Sequence, residues 1–291
     1  AELAEKAGIP KGVLNIITGN PQEIGETWLA DERVRKITFT GSTEVGKILM
    51  RGAADTVKKV SLELGGQAPF IVLDDANIEK AVAGAIASKF RNAGQTCVCA
   101  NRIYVHEKIV ESFTQKMAEA VQQLKMGNGL DQGVEIGPLI DENAVKKVER
   151  HIEDAVEKGG KVVIGGKKAD QYKGFFFEPT VITNVTDEML CMNEETFGPL
   201  APITTFQSIE EVIQRANDTP YGLAAYVFTE NISKAIQITE QLEYGIVGLN
   251  DGLPSVAQAP FGGFKQSGLG REGGHHGMEE FLETKFVSIA F

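Results

Sequence analysis

The sequence predicts an α/β protein in which parallel strands are joined by crossover helices. Two observations carry this. Short β-branched runs alternate with apolar positions at helical spacing, and the alternation persists from the first strand-like run to the last long helix. At 291 residues the chain has room for one or two domains, and 42% apolar residues suffice for a large core. No internal repeat or low-complexity tract interrupts the pattern.

Taken in order, Ala1–Ala7 reads as the tail of a helix closed by Gly8 and Pro10. Val13–Ile17 reads as a buried strand ended by Thr18, Gly19, Asn20 and Pro21. A helix over Pro21–Ala30 follows, then a strand over Val34–Thr40, the turn Gly41-Ser42 and a helix over Thr43–Ala54. Val57–Leu64 is a third strand. Beyond Gly66, Phe70–Leu73 is strand-like. Ile78, Val82, Ala85, Ile86 and Phe90 then recur at helical spacing, with Gly94 as the stop. Val110, Phe113, Met117, Val121 and Leu124 mark a further helix. Val145, Val148, Ile152 and Val156 mark another, closed by Gly159-Gly160, and Lys161–Ile164 is a strand. Ser208 and Glu211 form a capping box ahead of a helix bearing Val212, Ile213 and Ala216. Asn231–Glu243 is the last long helix and Ile246–Asn250 the strand after it. The tail from Phe281 to Phe291 is β-rich, and such an apolar strand is expected to pair with a sheet edge of this chain or of a partner.

A net charge of −11 argues against a nucleic-acid or anionic-membrane surface. Three cysteines suit a reducing compartment such as the cytoplasm better than a disulfide scaffold. No apolar run reaches the ~18–20 residues that span a bilayer. The opening in mid-helix suggests a fragment, from which a targeting segment would be lost.

Three segments carry chemistry. Cys97 stands in Gly94-Gln95-Thr96-Cys97-Val98-Cys99, beyond a helix end and a glycine turn that can present a thiol to a cleft. Taken alone, a free cysteine is more often an inert core residue. Glu63, in Leu62-Glu63-Leu64-Gly65-Gly66, ends an apolar strand, where desolvation would lift a carboxylate toward neutrality and make it a base. Glu195 and Phe197 lie in Glu194-Glu195-Thr196-Phe197-Gly198-Pro199. There a carboxylate can accept two hydrogen bonds from a diol and an aromatic ring can pack on a flat ligand; the plain alternative is a turn with one buried Phe. The strand, Gly41-Ser42 and helix sequence is a phosphate-binding layout or simply a helix cap. Gly268, Gly270 and Gly273 spell a dinucleotide fingerprint without the strand before it or the βαβ unit after it, so it is rejected. Cys97 and Cys99 would share one face of an extended backbone, with Cα atoms near the ~6.8 Å disulfide limit, so a reversible disulfide and a plain core thiol both stay open. Cys191 reads as structural, and no ligand spacing suggests a metal.

These segments resemble the aldehyde dehydrogenase family over essentially the whole chain. The resemblance implies residues 1–65 as the C-terminal part of a Rossmann-like NAD(P)-binding domain. Residues 66–268 would form a thiol-bearing α/β catalytic domain, and 269–291 a return segment with an oligomerisation strand. It implies Cys97 as nucleophile, Glu63 as base, backbone N–H groups near Cys97 as oxyanion donors, and Thr40, Gly41, Ser42, Leu64, Glu195 and Phe197 as contacts to NAD or NADP. Gln67 departs from the common family residues. Pro260-Phe261-Gly262-Gly263-Phe264-Lys265-Gln266-Ser267-Gly268 resembles a stretch that closes the active-site region. Lys89–Cys99 and Gly252-Leu253-Pro254-Ser255 resemble the succinate-semialdehyde dehydrogenase branch, whose matching Arg91 and Ser255 would hold a distal carboxylate. Read without that likeness, Arg91 is a surface cation at a helix C-terminus. A homo-oligomer, dimer or tetramer, is expected, and the chain alone is expected to be inactive. Another aldehyde, or a truncated non-catalytic nucleotide-binding or assembly protein, are the alternatives.

Overall fold

The computed structural model describes all 291 residues. Helix α1 (Glu2–Lys6) ends before Gly8, whose φ of 84° turns the chain. Then come α2 (Pro21–Ala30), β1 (Lys36–Thr40), α3 (Thr43–Ala54), β2 (Lys59–Glu63), β3 (Ala68–Val72) and α4 (Ile78–Lys89). Strand β4 (Ala100–His106), helices α5 (Val110–Gln122) and α6 (Glu142–Glu157), strands β5 (Lys161–Ile164) and β6 (Thr180–Thr183), and helix α7 (Leu190–Asn193) follow. The chain closes with β7 (Leu200–Phe206), α8 (Ile209–Asn217), β8 (Ala224–Phe228), α9 (Ile232–Gln241), β9 (Ile246–Leu249), β10 (Gly268–Leu269) and α10 (His276–Glu279).

Local chemistry sets the long helices. Ser42, Asn77, Asp141, Ser208 and Asn231 each cap a helix through a side-chain oxygen that accepts a first-turn N–H. In the expected capping box, Ser208 Oγ accepts from Glu211 N–H at 3.2 Å, and Glu211 Oε2 accepts from Gln207 N–H at 2.9 Å.

The strands form two sheets. The small one has the order β1-β2-β10, with β1 and β2 parallel and β10 antiparallel to β2. The large one runs β5-β6-β7-β4-β3-β8-β9 and is parallel except for β5 against β6. Strands β3, β4 and β8 are buried along their whole length, and the 47-residue core gathers around them. The chain leaves the small sheet at Glu63 and enters the large one at Ala68. The residues between, and the last residues of β1, therefore lie where the two sheets meet.

Two expected strands do not form. Val13–Ile17 has no ladder partner, and Val13, Leu14, Ile16 and Ile17 are exposed. An apolar run becomes a strand only when an edge takes up its N–H and C=O groups, and no strand pairs with this one. The tail behaves alike: residues 281–291 pair with no edge of this chain, and Phe286, Val287, Ile289 and Phe291 are exposed. Conversely, β4, β6, β7 and β8 escape a periodicity reading because a strand buried on both faces has no alternation. No helix is long and apolar enough to cross a membrane.

Candidate active site

Parallel pairing of β1 with β2 puts Thr40 opposite Glu63. The Gly41 N–H donates to Glu63 O at 3.0 Å, which ties the β1–α3 turn to the end of β2. Ser42 caps α3, its Oγ accepting from Val45 N–H at 3.3 Å. The turn is thus a helix cap, and its residues Thr40, Gly41 and Ser42 border the cleft described below. On the other side of Glu63 lies β10, and Ser267 just before it is fully buried. Ser267 Oγ donates to Gly65 O at 2.7 Å, and Ser267 O accepts from Leu64 N–H at 2.9 Å, fixing the Gly65-Gly66 turn. The literal glycine fingerprint beginning at Gly268 is an antiparallel edge, as its rejection required.

Glu63 is buried, and its Oε2 has no hydrogen-bond partner. Desolvation first, and the nearby Glu272 carboxylate second, push its carboxyl up to about 8, against the opposing pull of Arg271. A carboxyl poised there can exchange a proton with water near neutrality.

After α4 the chain makes a 3₁₀ turn, Arg91–Gly94, in which Asn92, Ala93 and Gly94 all take left-handed φ values of 52–76°. A Cβ on Gly94 would collide with Gly198 O, so only glycine lets this turn touch the Glu194–Pro199 segment. Thr96–Cys99 is then a turn closed by Cys99 N–H on Thr96 O at 3.1 Å. Cys97 is half-buried. Burial, then the Glu195 charge, push its thiol up to about 11, while its own N–H and that of Val98 pull the other way. The resting sulfur is therefore a protonated thiol.

The turn corrects the extended backbone assumed for Cys97 and Cys99. Cys99 is buried, and Lys89 Nζ donates to its Sγ at 3.1 Å. All three cysteines are free.

Glu195 Oε1 accepts the Gly66 N–H at 2.9 Å, and burial raises its carboxyl despite that bond. Phe197 is exposed with φ 51°. Buried His151 on α6 supports this segment from behind, its Nδ1 at 3.2 Å from Thr196 Oγ1 and its Nε2 at 3.2 Å from Glu194 Oε2. Burial holds the His151 imidazole below its usual range. Gln67, the unusual residue, braces the same segment with Nε2 3.4 Å from Glu194 O.

Thr40, Gly41, Ser42, Glu63, Leu64, Arg91, Cys97, Glu195, Phe197 and Ser255 all line one cleft of about 750 Å³. Only Cys99 lies behind it. Arg91 and Ser255 are exposed in the cleft wall, and the Arg91 guanidinium has no protein partner. The sequence reading missed Lys147, a half-buried cation of the same wall, because helical periodicity marks only the apolar face of α6. It also missed Glu272, whose effect on Glu63 is made by folding alone. A second groove, of about 890 Å³, opens on the far side of the β1–α3 turn between α2 and α3. Ile24, Trp28, Ile37, Val45 and Ile48 line it.

Fold and cleft together define an α/β chain with a thiol and a near-neutral carboxylate at one site. The chain belongs to the Aldehyde dehydrogenase family, which matches residues 1–287. It is 56% identical over 289 residues to the mitochondrial succinate-semialdehyde dehydrogenase of Oryza sativa subsp. japonica, covering 99% of this chain and 55% of that protein. It is 55% identical over 287 residues to the 3-sulfolactaldehyde dehydrogenase of Pseudomonas putida, covering 99% and 59%. The crystal structure of an aldehyde dehydrogenase from Brucella melitensis biovar abortus 2308 matches with a TM-score of 0.96 at 59% identity, covering 98% of this chain and 59% of that one. The chain thus spans little more than half the length of the curated relatives it matches.

Proposed function

We propose that this chain carries the thiol-bearing part of an NAD(P)-dependent aldehyde dehydrogenase. Its substrate is a small aldehyde with a distal anionic group, succinic semialdehyde first, and its product the carboxylic acid. The carrying observation is that Cys97 and Glu63 share one cleft with the unpaired Arg91 and the N-terminus of α3.

The residues present fit a dinucleotide. Free N–H groups at the α3 N-terminus suit its phosphates, the apolar groove suits its flat ring, and the Glu195 carboxylate suits a ribose diol. A bound nicotinamide would supply the one chemistry that side chains lack, a hydride acceptor. The chain's own residues do the rest. Cys97 Sγ gives up its proton to water in the open cleft as it bonds to the aldehyde carbon, and once hydride has left that carbon it carries the acyl group as a thioester. The backbone N–H of Cys97 stabilises the oxyanion. Glu63 Oε2, free of protein partners, takes a proton from water, and the resulting hydroxide equivalent releases the acid. Arg91 forks onto the distal anion, with Ser255 donating beside it. A carboxylate and a sulfonate offer the same oxygens to that fork, so both are candidate tails.

On the family likeness, residues 1–291 lack further cofactor contacts and a second oxyanion donor, and alone they turn over poorly. The exposed tail, Phe286 to Phe291, pairs with another copy in a homo-oligomer, and the thiol chemistry places the protein in a reducing compartment such as the cytoplasm. The test is NAD(P)⁺ reduction by succinic semialdehyde in the complete enzyme. Cys97→Ser and Glu63→Gln each abolish steady-state turnover if the reading is right; a Cys97→Ser enzyme with wild-type turnover overturns it.

A further inference from the structure

Behind the cleft, α4 ends on a lysine with no exposure at all. No carboxylate lies within ion-pair distance of Lys89. Its Nζ donates only to Cys99 Sγ at 3.1 Å and to Asn101 Oδ1 at 3.4 Å. A dry ammonium without an anion is costly, and a methionine would fill the space without that cost.

A chain of contacts leads from this lysine to the cleft. Asn101 Nδ2 donates to Gly66 O at 3.4 Å, and Gly66 N–H donates to Glu195 Oε1 at 2.9 Å. A Cβ on Gly66 would collide with Cys97 O, so Gly66 lies directly against the backbone of the thiol. One residue is thus held by Asn101, by Glu195 and by the Cys97 turn together.

We propose that Lys89 is a positioning residue whose buried charge, linked by hydrogen bonds through Asn101 and Gly66, favours the anion of the Glu195 carboxylate and keeps it aimed into the cleft. Its consequence for cofactor binding rests on the reading of Glu195 given above; the electrostatic claim does not. Several groups face Glu195. Burial dominates and raises its carboxyl, with Glu44 from α3 adding to the rise; the Gly66 N–H, Lys147 from α6 and Lys89 from α4 oppose it. The Cys97 thiol and Tyr221 are both made harder to ionise by Glu195. Lys147 borders the open cleft and is screened by water, whereas Lys89 is not.

The test is the Glu195 titration midpoint in the 291-residue chain, read by carboxyl ¹³C NMR and assigned with Glu195→Gln. Lys89→Met removes the charge and fills the space; Lys89→Gln keeps a donor for Asn101 without charge. Both raise the midpoint by about one pH unit, and the melting temperature of Lys89→Met does not fall. In the complete enzyme the variants bind NAD(P)⁺ several-fold more weakly than wild type at pH 7, and the deficit narrows at pH 9. If Lys89→Met does not fold, Lys89→Gln decides. An unmoved midpoint in a folded variant overturns the proposal, even with wild-type cofactor binding intact. A raised midpoint in a protein that binds no NAD(P)⁺ supports it and refutes the cofactor reading instead.

Discussion

Replacing Glu63 with glutamine removes an ionisation that the fold resists. The carboxyl stands at about 8 in the folded chain against an ordinary 4.5. At ~1.4 kcal/mol per pH unit, that gap bounds its cost to stability at about 5 kcal/mol above pH 8. Glu63 borders the open cleft, where water screens the charge and reduces the figure to about 2–3 kcal/mol. Because the folded value is raised, the unfolded chain releases the proton first as pH rises. Glu63 therefore costs nothing below about pH 4, progressively more between 4.5 and 8, and a constant amount above. Glu63→Gln preserves shape and has no such slope. Denaturant unfolding of both proteins from pH 4.5 to 9 checks this. The glutamine variant gains about 2–3 kcal/mol over wild type across that window, all of it below pH 8. Parallel profiles would mean that Glu63 is solvated, and the case for it as a near-neutral base would fail.

Three further outcomes follow from the same geometry. Arg91→Ala raises KM for succinic semialdehyde by about 10–100-fold, the ~1.5–3 kcal/mol of a charged hydrogen-bond pair, and leaves an uncharged aldehyde nearly unaffected. Steady-state kinetics with both substrates measures it. Iodoacetamide labels Cys97 slowly at pH 7 and faster up to a midpoint near the thiol's value of about 11; Glu195→Gln moves that midpoint down, because the second cause of the rise is gone. Gly94→Ala, at φ 76° with Gly198 O in the way of its Cβ, costs more than about 2 kcal/mol by thermal unfolding.

The sequence is most legible where chemistry is local. Ser42, Ser208 and Asn231 announce their helices because a cap needs only its neighbours. The site is legible for a different reason. Glu63, the Arg91–Cys97 segment, Glu195 and Ser255 are far apart in sequence, and the family likeness, not spacing, points to one cleft. What was misread depends on distant partners. Val13–Ile17 looks like a strand, but a strand exists only beside an edge. Cys97 and Cys99 look like neighbours on an extended segment, but Thr96 closes a turn that sends Cys99 back against Lys89. Lys147 and Glu272 could not be singled out, since nothing local distinguishes them from solvated charges. Lys89 hides for the same reason, as the last residue of an amphipathic helix, where a cation suits the dipole.

The sulfur of Cys97 as the acyl carrier is most directly examined by peptide mass spectrometry of the complete Glu63→Gln enzyme, quenched in acid after mixing with succinic semialdehyde and NAD(P)⁺. Slowed hydrolysis should leave one acyl group on the peptide that contains Cys97, and none when Cys97 is also replaced by serine. An unmodified Cys97 peptide after a measured burst of NAD(P)H would contradict the account.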